Sequence, residues 1–414
     1  MSRKERLKTT FSLYFDYLIH GMAIVILAQN MTALGTRWHV GDAGVSYVIS
    51  SLGIGRLLVL YIAGALSDRF GRRLFVKIGI ATYICFFVGI ILSHTVVEAY
   101  FFGILAGMAN SFLDTGTYPA LMELYPQKQA AANILIKAFA SIGELILPIF
   151  VATLEGFNLW FGWSFTFCVV ALAINFVVMW HRQFPDMAQE VAPEPEIDTT
   201  KSVLTAPEEK SKMTPRKLLL GVVLTIFGYI SMATFYLISQ WLTQYGETVV
   251  KLDMVHARML VSVYSVGSIL GVITTVMLVE RVIKPVWFMV GDTLLSFVTL
   301  LLMAMFPVGW LMYIGSFVIG CSAASGVMQI GLTIMGNVFP RSKGRITGIY
   351  NTAGAIASFS IPVFTGILSK TSVHSIMWFD VGIALIGILC ALSVMVILRQ
   401  KKPDAEGVTE EELI

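Results

Sequence analysis

Apolar residues in this chain do not recur at helix or strand period. They run in unbroken blocks of about 20, the length a helix needs to cross roughly 30 Å of hydrocarbon. Twelve such blocks stand out, at 11–34, 45–66, 74–93, 97–121, 130–154, 160–180, 217–242, 257–279, 285–305, 309–336, 345–368 and 376–398. The pattern predicts an all-α membrane protein of twelve transmembrane helices. Between the sixth and seventh blocks the chain turns rich in Glu, Lys, Pro and Thr. Such a stretch cannot bury a core and reads as a linker. The predicted organisation is therefore a six-helix half at 1–182, a linker at 183–215, a second six-helix half at 216–402 and a disordered acidic tail at 403–414.

Composition supports this reading: 56% of the 414 residues are hydrophobic and 13% are charged. A soluble domain carries about a quarter charged residues. The basic start, MSRKERLK, leads into an apolar run too long for a cleaved secretory signal, so the first helix is read as retained. Cys85, Cys168, Cys321 and Cys390 all lie in apolar blocks and form no CxxC pair. They read as packing residues, with neither a disulfide framework nor a metal site predicted. Lys and Arg crowd the segments on the side of the N-terminus, while the opposite loops hold Arg37, Lys251, Arg258 and Lys370. The positive-inside rule then places both termini and the linker in the cytoplasm.

The two halves are also alike. YPQKQAAANILIKAFASIGELILPIF (125–150) aligns without gaps to FPRSKGRITGIYNTAGAIASFSIPVF (339–364), and SDRFGRRLFVKIG (67–79) aligns to VERVIKPVWFMVG (279–291). The two offsets, 214 and 212, nearly agree and suggest a duplicated six-helix unit. In transporters built from parallel repeats, substrate sits between the repeats near mid-membrane.

GALSDRFGRR (64–73) joins the second and third blocks. Gly64 and Gly71 permit close approach and a tight turn. Asp68 can cap a helix or pair with an arginine, and Arg69, Arg72 and Arg73 hold the loop at the basic face. The loop is either a latch between rocking halves or only an anchor. The pattern Gly64-x-Leu66-x-Asp68-Arg69-x-Gly71-Arg72-Arg73 resembles the loop motif of the major facilitator superfamily. A closer resemblance, carried by ISSLGIGRL (49–57), AGMANSFLDTGTYP (106–119), ANILIKAF (132–139) and YISMATFYLISQWLTQYG (229–246), is to the YdiM/YdiN-like inner-membrane transporters. It implies the major facilitator fold, a multi-pass place in the bacterial inner membrane and transport of a small solute. It supplies no mapped site, and hints at a hydroxylated acid. The second-half counterpart, MLVERVIKP, has Ile283 where Gly71 stands, which predicts a weaker latch there.

Ionisable residues inside the blocks are the candidate chemistry, because each costs about 2.5–3.5 kcal/mol at mid-membrane unless it faces a cavity or a partner. His20, Arg56, Asp114, Lys137 and Glu144 lie in the first half. At 1.5 Å per residue, Asp114 and Lys137 stand about 10 Å from the cytoplasmic ends of consecutive helices, which predicts an Asp114–Lys137 pair. That pair is either a fixed strut or part of coupling. Arg56 is predicted to bind a carboxylate, from Glu144 or from substrate. Glu144 can carry a proton, and His20 can titrate or simply pack. Asp16 is expected near the inner surface in a solvated or gate-pairing role, and Asp292 and Asp380 in structural roles. The second half offers neutral candidates: Gln240, Trp241, Gln329 and Asn351. Pro119 is expected to end or bend the fourth helix below Asp114.

No Walker motif, nucleophile motif or soluble output domain is evident, which argues against an ATP-driven pump, a membrane enzyme and a sensor. No cofactor is predicted. The expected partners are a small-molecule substrate (anionic in the leading reading), protons and membrane lipids, without nucleic acid, around a monomer. The leading function is proton-coupled symport of a small organic acid. Proton-antiport efflux of amphipathic compounds and sugar uptake are the alternatives.

Overall fold

The computed structural model describes residues 2–125, 129–180, 182, 184, 215–281, 283–324, 326–339 and 343–399. The predicted linker, apart from residues 184 and 215, and the predicted tail lie outside the described residues. The helices are α1 (Arg3–Gln29), α2 (Met31–Trp38), α3 (Asp42–Phe70), α4 (Arg72–Leu92), α5 (Val96–Leu124), α6 (Gln129–Gly156), α7 (Gly162–Trp180), α8 (Pro215–Thr248), α9 (Met254–Arg281), α10 (Pro285–Met305), α11 (Gly309–Ser322), α12 (Val327–Val338), α13 (Lys343–Ser369) and α14 (Val373–Arg399). Together they supply twelve stretches long and apolar enough to cross a membrane, as the blocks predict.

Two spans differ from simple rods. The first is kinked at Asn30, whose side-chain amide donates to Ile26 O at 2.8 Å and to Ser164 Oγ at 3.3 Å. The short helix α2 continues it. The tenth, predicted as one run, is broken between α11 and α12, and Gly326 takes φ +122° in the break. Pro119 neither ends its helix nor shortens it, since α5 continues to Leu124. Pro148 and Pro362, matched by the repeat, each stand inside corresponding helices α6 and α13.

The packing repeats the internal duplication. Helix α3 packs on α13 and α6 packs on α9, so the second and fifth spans meet the eleventh and eighth. Within each half, the second span of the unit lies unusually close to the fourth. A Cβ on Gly55 would meet Ile104 O at 2.0 Å, and one on Gly107 would meet Leu52 O at 1.9 Å. Gly267 and Gly320 do the same between α9 and α11, at 2.2 Å from Phe317 O and 2.0 Å from Tyr264 O. In lipid, where tails are as apolar as leucine, such backbone contact is a main source of helix association.

The outward surface carries exposed Phe101, Val177, Trp180 and Leu389, as a lipid-facing belt requires. The interior is unlike a soluble core, because Ser46, Ser50, Ser51, Ser141, Ser265 and Ser268 are fully buried in it. Replacing Gly107 by Val should lower the melting temperature of the purified protein, overpacking of this kind costing about 1–3 kcal/mol. Gly291→Val, where nothing lies within 4 Å of the new Cβ, should leave it unchanged.

Candidate functional site

Asp114 is one turn before Tyr118 on α5, and both are half-buried. The Tyr17 hydroxyl of α1 donates to Asp114 Oδ1 at 2.5 Å. The Gly55–Gly107 contact sets α3 against α5, and the next residue, Arg56, then lies within electrostatic reach of Asp114, Tyr236 and Tyr83. Lys137 and Glu144, two turns apart on one face of α6, form their own ion pair at 3.9 Å. Lys137 Nζ also lies 4.7 Å above the Phe235 ring of α8, a cation–π contact between the two halves.

The predicted Asp114–Lys137 pair is therefore not formed. Both residues do face the interior, but α3 brings Arg56 to Asp114 first, and the α6 register gives Lys137 to Glu144. Arg56 is likewise not paired with Glu144; its neighbours are Asp114 and two tyrosines. The charges nonetheless gather as two pairs, Arg56 within reach of Asp114 and Lys137 with Glu144, and both cations lie within electrostatic reach of His20. Exposure falls along α6 from 27% at the Lys137 side chain to 0% at Glu144, so the cluster is accessible from the side of the chain termini.

Neither carboxylate oxygen of Glu144 has a hydrogen-bond partner among the described residues. His20 is buried, with Nδ1 2.5 Å from the Tyr83 hydroxyl and its ring edge-on to Tyr17, which fits a packing role. Gln240 is buried with both amide atoms lacking a hydrogen-bond partner among the described residues. Trp241 is a brace, its Nε1 donating to Thr365 Oγ1 at 2.8 Å on α13. Gln329 is exposed and Asn351 half-buried. Among the described residues no hydrogen bond joins either of them to the charged cluster. Asp16 is fully buried and accepts from Asn175 Nδ2 at 2.7 Å, so the expected solvated position is incorrect: α7 covers it.

At the loop motif, Gly71 takes φ +93°, turning α3 directly into α4. Arg72 donates to Glu123 Oε1 and to Ser67 Oγ, both at 3.2 Å. Arg73 donates to Trp180 O. The motif thus ties the ends of α3, α4, α5 and α7 together within the first half. Gly64, Asp68 and Arg69 lie outside the described side chains.

Sequence reasoning passed over the tyrosines and one arginine. Tyr14, Tyr17 and His20 recur at three-residue spacing on the buried face of α1, a signal present in the sequence. Arg258, counted above as an outer-loop cation, is 2% exposed and sits just inside α9. It donates to Gln29 O and to the Glu155 carboxylate, clamping the ends of α1 and α6 to α9. Nearby, Gln29 Nε2 donates to Thr243 Oγ1 at 3.0 Å, Ser46 Oγ to Pro362 O at 2.7 Å and Ser262 Oγ to Leu145 O at 3.0 Å. These bonds seal the end of the bundle opposite the termini. Breaking the clamp with Arg258→Ala should raise several-fold the labelling of a cysteine at Ser262 by an impermeant thiol reagent added on that side.

Among the described residues no group of three His, Cys, Asp or Glu comes together that could hold a metal ion.

Comparison with known proteins agrees with this geometry. The chain is 45% identical to the inner membrane transport protein YdiM of Escherichia coli K12 over 95% of both chains. It is 33% identical to YdiN of the same strain, over 96% of this chain and 93% of that one. The crystal structure of a D-xylose-proton symporter superposes with a TM-score of 0.74 at 15% identity, covering 94% of this chain and 97% of the other. The family model described as Major Facilitator Superfamily matches residues 9–278 and 252–413. With these matches across its whole length, the chain belongs to the major facilitator superfamily and is a membrane transporter of the YdiM/YdiN type rather than an enzyme.

Proposed function

We propose that this transporter carries a small organic anion, a hydroxylated monocarboxylate in the leading case, together with a proton. The observation that carries the reading is the charge balance of the interior cluster. Arg56 and Lys137 face Asp114 and Glu144, so the ionised set is neutral. One proton taken up by a carboxylate leaves a single positive charge, which matches a monoanion. Glu144 is the acid that takes it, because among the described residues its oxygens lack hydrogen-bond donors and its close cation is Lys137 at 3.9 Å. Asp114 has a Tyr17 donor at 2.5 Å and Arg56 within electrostatic reach, and serves as the anchor of that guanidinium. Arg56 then offers its remaining donors to the substrate carboxylate. Tyr236, Tyr83 and Tyr118 supply hydroxyls and ring faces, and Gln240 an amide, for a hydroxylated body.

In this reading residues 1–182 and 216–402 rock as two units joined by 183–215, with both termini cytoplasmic and one chain sufficient. The clamp at Arg258 and Glu155 then lies at the periplasmic end, which supports an inward-facing arrangement in this reading. Lys137, held by Glu144 on one side and Phe235 on the other, passes the protonation of Glu144 to the second half. Alternating exposure of one site is the general plan of parallel-repeat transporters.

The test is uptake driven by a proton gradient in vesicles holding the purified protein, using hydroxylated monocarboxylates. Arg56→Ala should lower uptake at least tenfold. Glu144→Gln should abolish accumulation driven by the gradient yet keep exchange of substrate between the two sides. Unchanged accumulation in both variants would exclude these roles.

A further inference from the structure

Glu144 on α6, Tyr264 on α9 and Asp380 on α14 are fully buried, and each keeps a polar atom with no hydrogen-bond partner among the described residues. For Glu144 it is both carboxylate oxygens, for Tyr264 the hydroxyl and for Asp380 Oδ2. Asp380 Oδ1 accepts from Thr234 Oγ1 at 2.9 Å. Serine contacts fix how α6 and α9 lie across the two halves. Ser141 Oγ is 3.3 Å from Ser268 Oγ, and Ser262 Oγ donates to Leu145 O at 3.0 Å. The two helices therefore run antiparallel, with the turn that bears Glu144 set against the turn that bears Tyr264. The Tyr264 hydroxyl is within electrostatic reach of both carboxylates, Glu144 in the first half and Asp380 in the second.

Depth orders the three groups. Counted from the side opposite the termini, Asp380 is about 10 Å along α14, Tyr264 about 15 Å along α9 and Glu144 about 18 Å along α6. They descend toward Lys137, whose side chain is 27% exposed. The other titratable groups on the helices packed around them are turned elsewhere. On α1, Asp16 accepts from Asn175 and His20 is bonded to Tyr83. On α5, Asp114 accepts from Tyr17. On α8, Tyr229 meets Ser360, Tyr236 is in reach of Arg56 and Tyr245 is bonded to His374. On α9, Arg258 holds Glu155, and on α10, Asp292 is in reach of Cys321 on α11. Among the described residues no Lys, Arg or His forms a hydrogen bond or ion pair with Asp380. A lone anion at this depth is costly, and a neutral carboxyl is not.

We propose that Asp380 and Tyr264 form a proton route from the side opposite the termini to Glu144. Asp380 takes up the proton on that side. Its O–H bond breaks as the proton passes to Tyr264 Oη, while the Tyr264 O–H bond breaks and a new one forms on Glu144. The tyrosine ends neutral, as it began, and one proton has crossed from the second half to the first. A hydroxyl suits this place because it donates and accepts at once. The inference rests on Glu144 being the proton carrier, and adds where its proton comes from.

The test is time-resolved infrared spectroscopy of the purified full chain in vesicles with the termini inside, acidified rapidly on the outer face. Each carboxylate shows its protonation as a carboxyl C=O band, identified by its loss in Asp380→Asn or Glu144→Gln. In the wild type the Asp380 band should rise no later than the Glu144 band. Tyr264→Phe, which removes one oxygen, should slow the Glu144 band at least tenfold and leave the Asp380 band as it was. Tyr350→Phe, which removes a buried hydroxyl bonded to Met328 O, should change neither. A Glu144 band that rises at the wild-type rate in Tyr264→Phe would overturn the route and leave the proton-carrier reading standing. No Glu144 band at all would remove both. Should Asp380→Asn fail to fold, Tyr264→Phe decides the matter alone.

Discussion

A guanidinium inside a membrane must have a carboxylate within reach, and here that reach depends on the contact between two helices without side chains between them. Gly55 and Gly107 let α3 and α5 touch backbone to backbone. Arg56, the residue after Gly55, is thereby delivered to Asp114. Tyr17 approaches the same carboxylate from α1. The rest of the site follows from this placement: with Asp114 hydrogen-bonded by Tyr17 and Arg56 within its electrostatic reach, Lys137 is left to Glu144 and to the ring of Phe235. The charge pattern of the cavity is thus set by a packing contact that itself carries no charge.

The two halves share one architecture and differ in chemistry. The glycine contact between α3 and α5 recurs between α9 and α11, and Pro148 recurs as Pro362. The duplication constrains how helices pack, because backbone contact in lipid tolerates few changes. It does not constrain the interior side chains. The first half has gathered cations, carboxylates and tyrosines, and the second holds buried Asp380 with Thr234 donating to it. Across from those charges the second half presents neutral groups, the Phe235 ring to Lys137 and Tyr236 to Arg56. The strong interaction is placed instead at the sealed end, where buried Arg258 holds Gln29 and Glu155.

The division between what could be read from the sequence and what could not follows the same physics. Block length, basic-residue asymmetry and the repeat are properties of the linear chain, and they were enough for twelve spans, the superfamily and the interior direction of Asp114, Lys137 and Glu144. Lipid makes this legible, since a charge within a long apolar block has nowhere else to face. Partners were not legible. Equal depth made Asp114 and Lys137 look like a pair, but depth fixes one coordinate, and helix rotation and closeness fix the other two. Arg258 looked like a loop cation because it stands at the edge of its apolar block, whereas the helix begins at Met254 and buries it.

The sequence by itself determined how many times the chain crosses the membrane and which residues are too costly to leave in lipid. Both are one-dimensional consequences of transfer free energy. Only the tertiary structure decided which charge lies beside which, which end of the bundle is clamped, and that the tenth span breaks. Those depend on glycine contacts and helix rotations between segments distant in the chain, and local pattern carries no record of them.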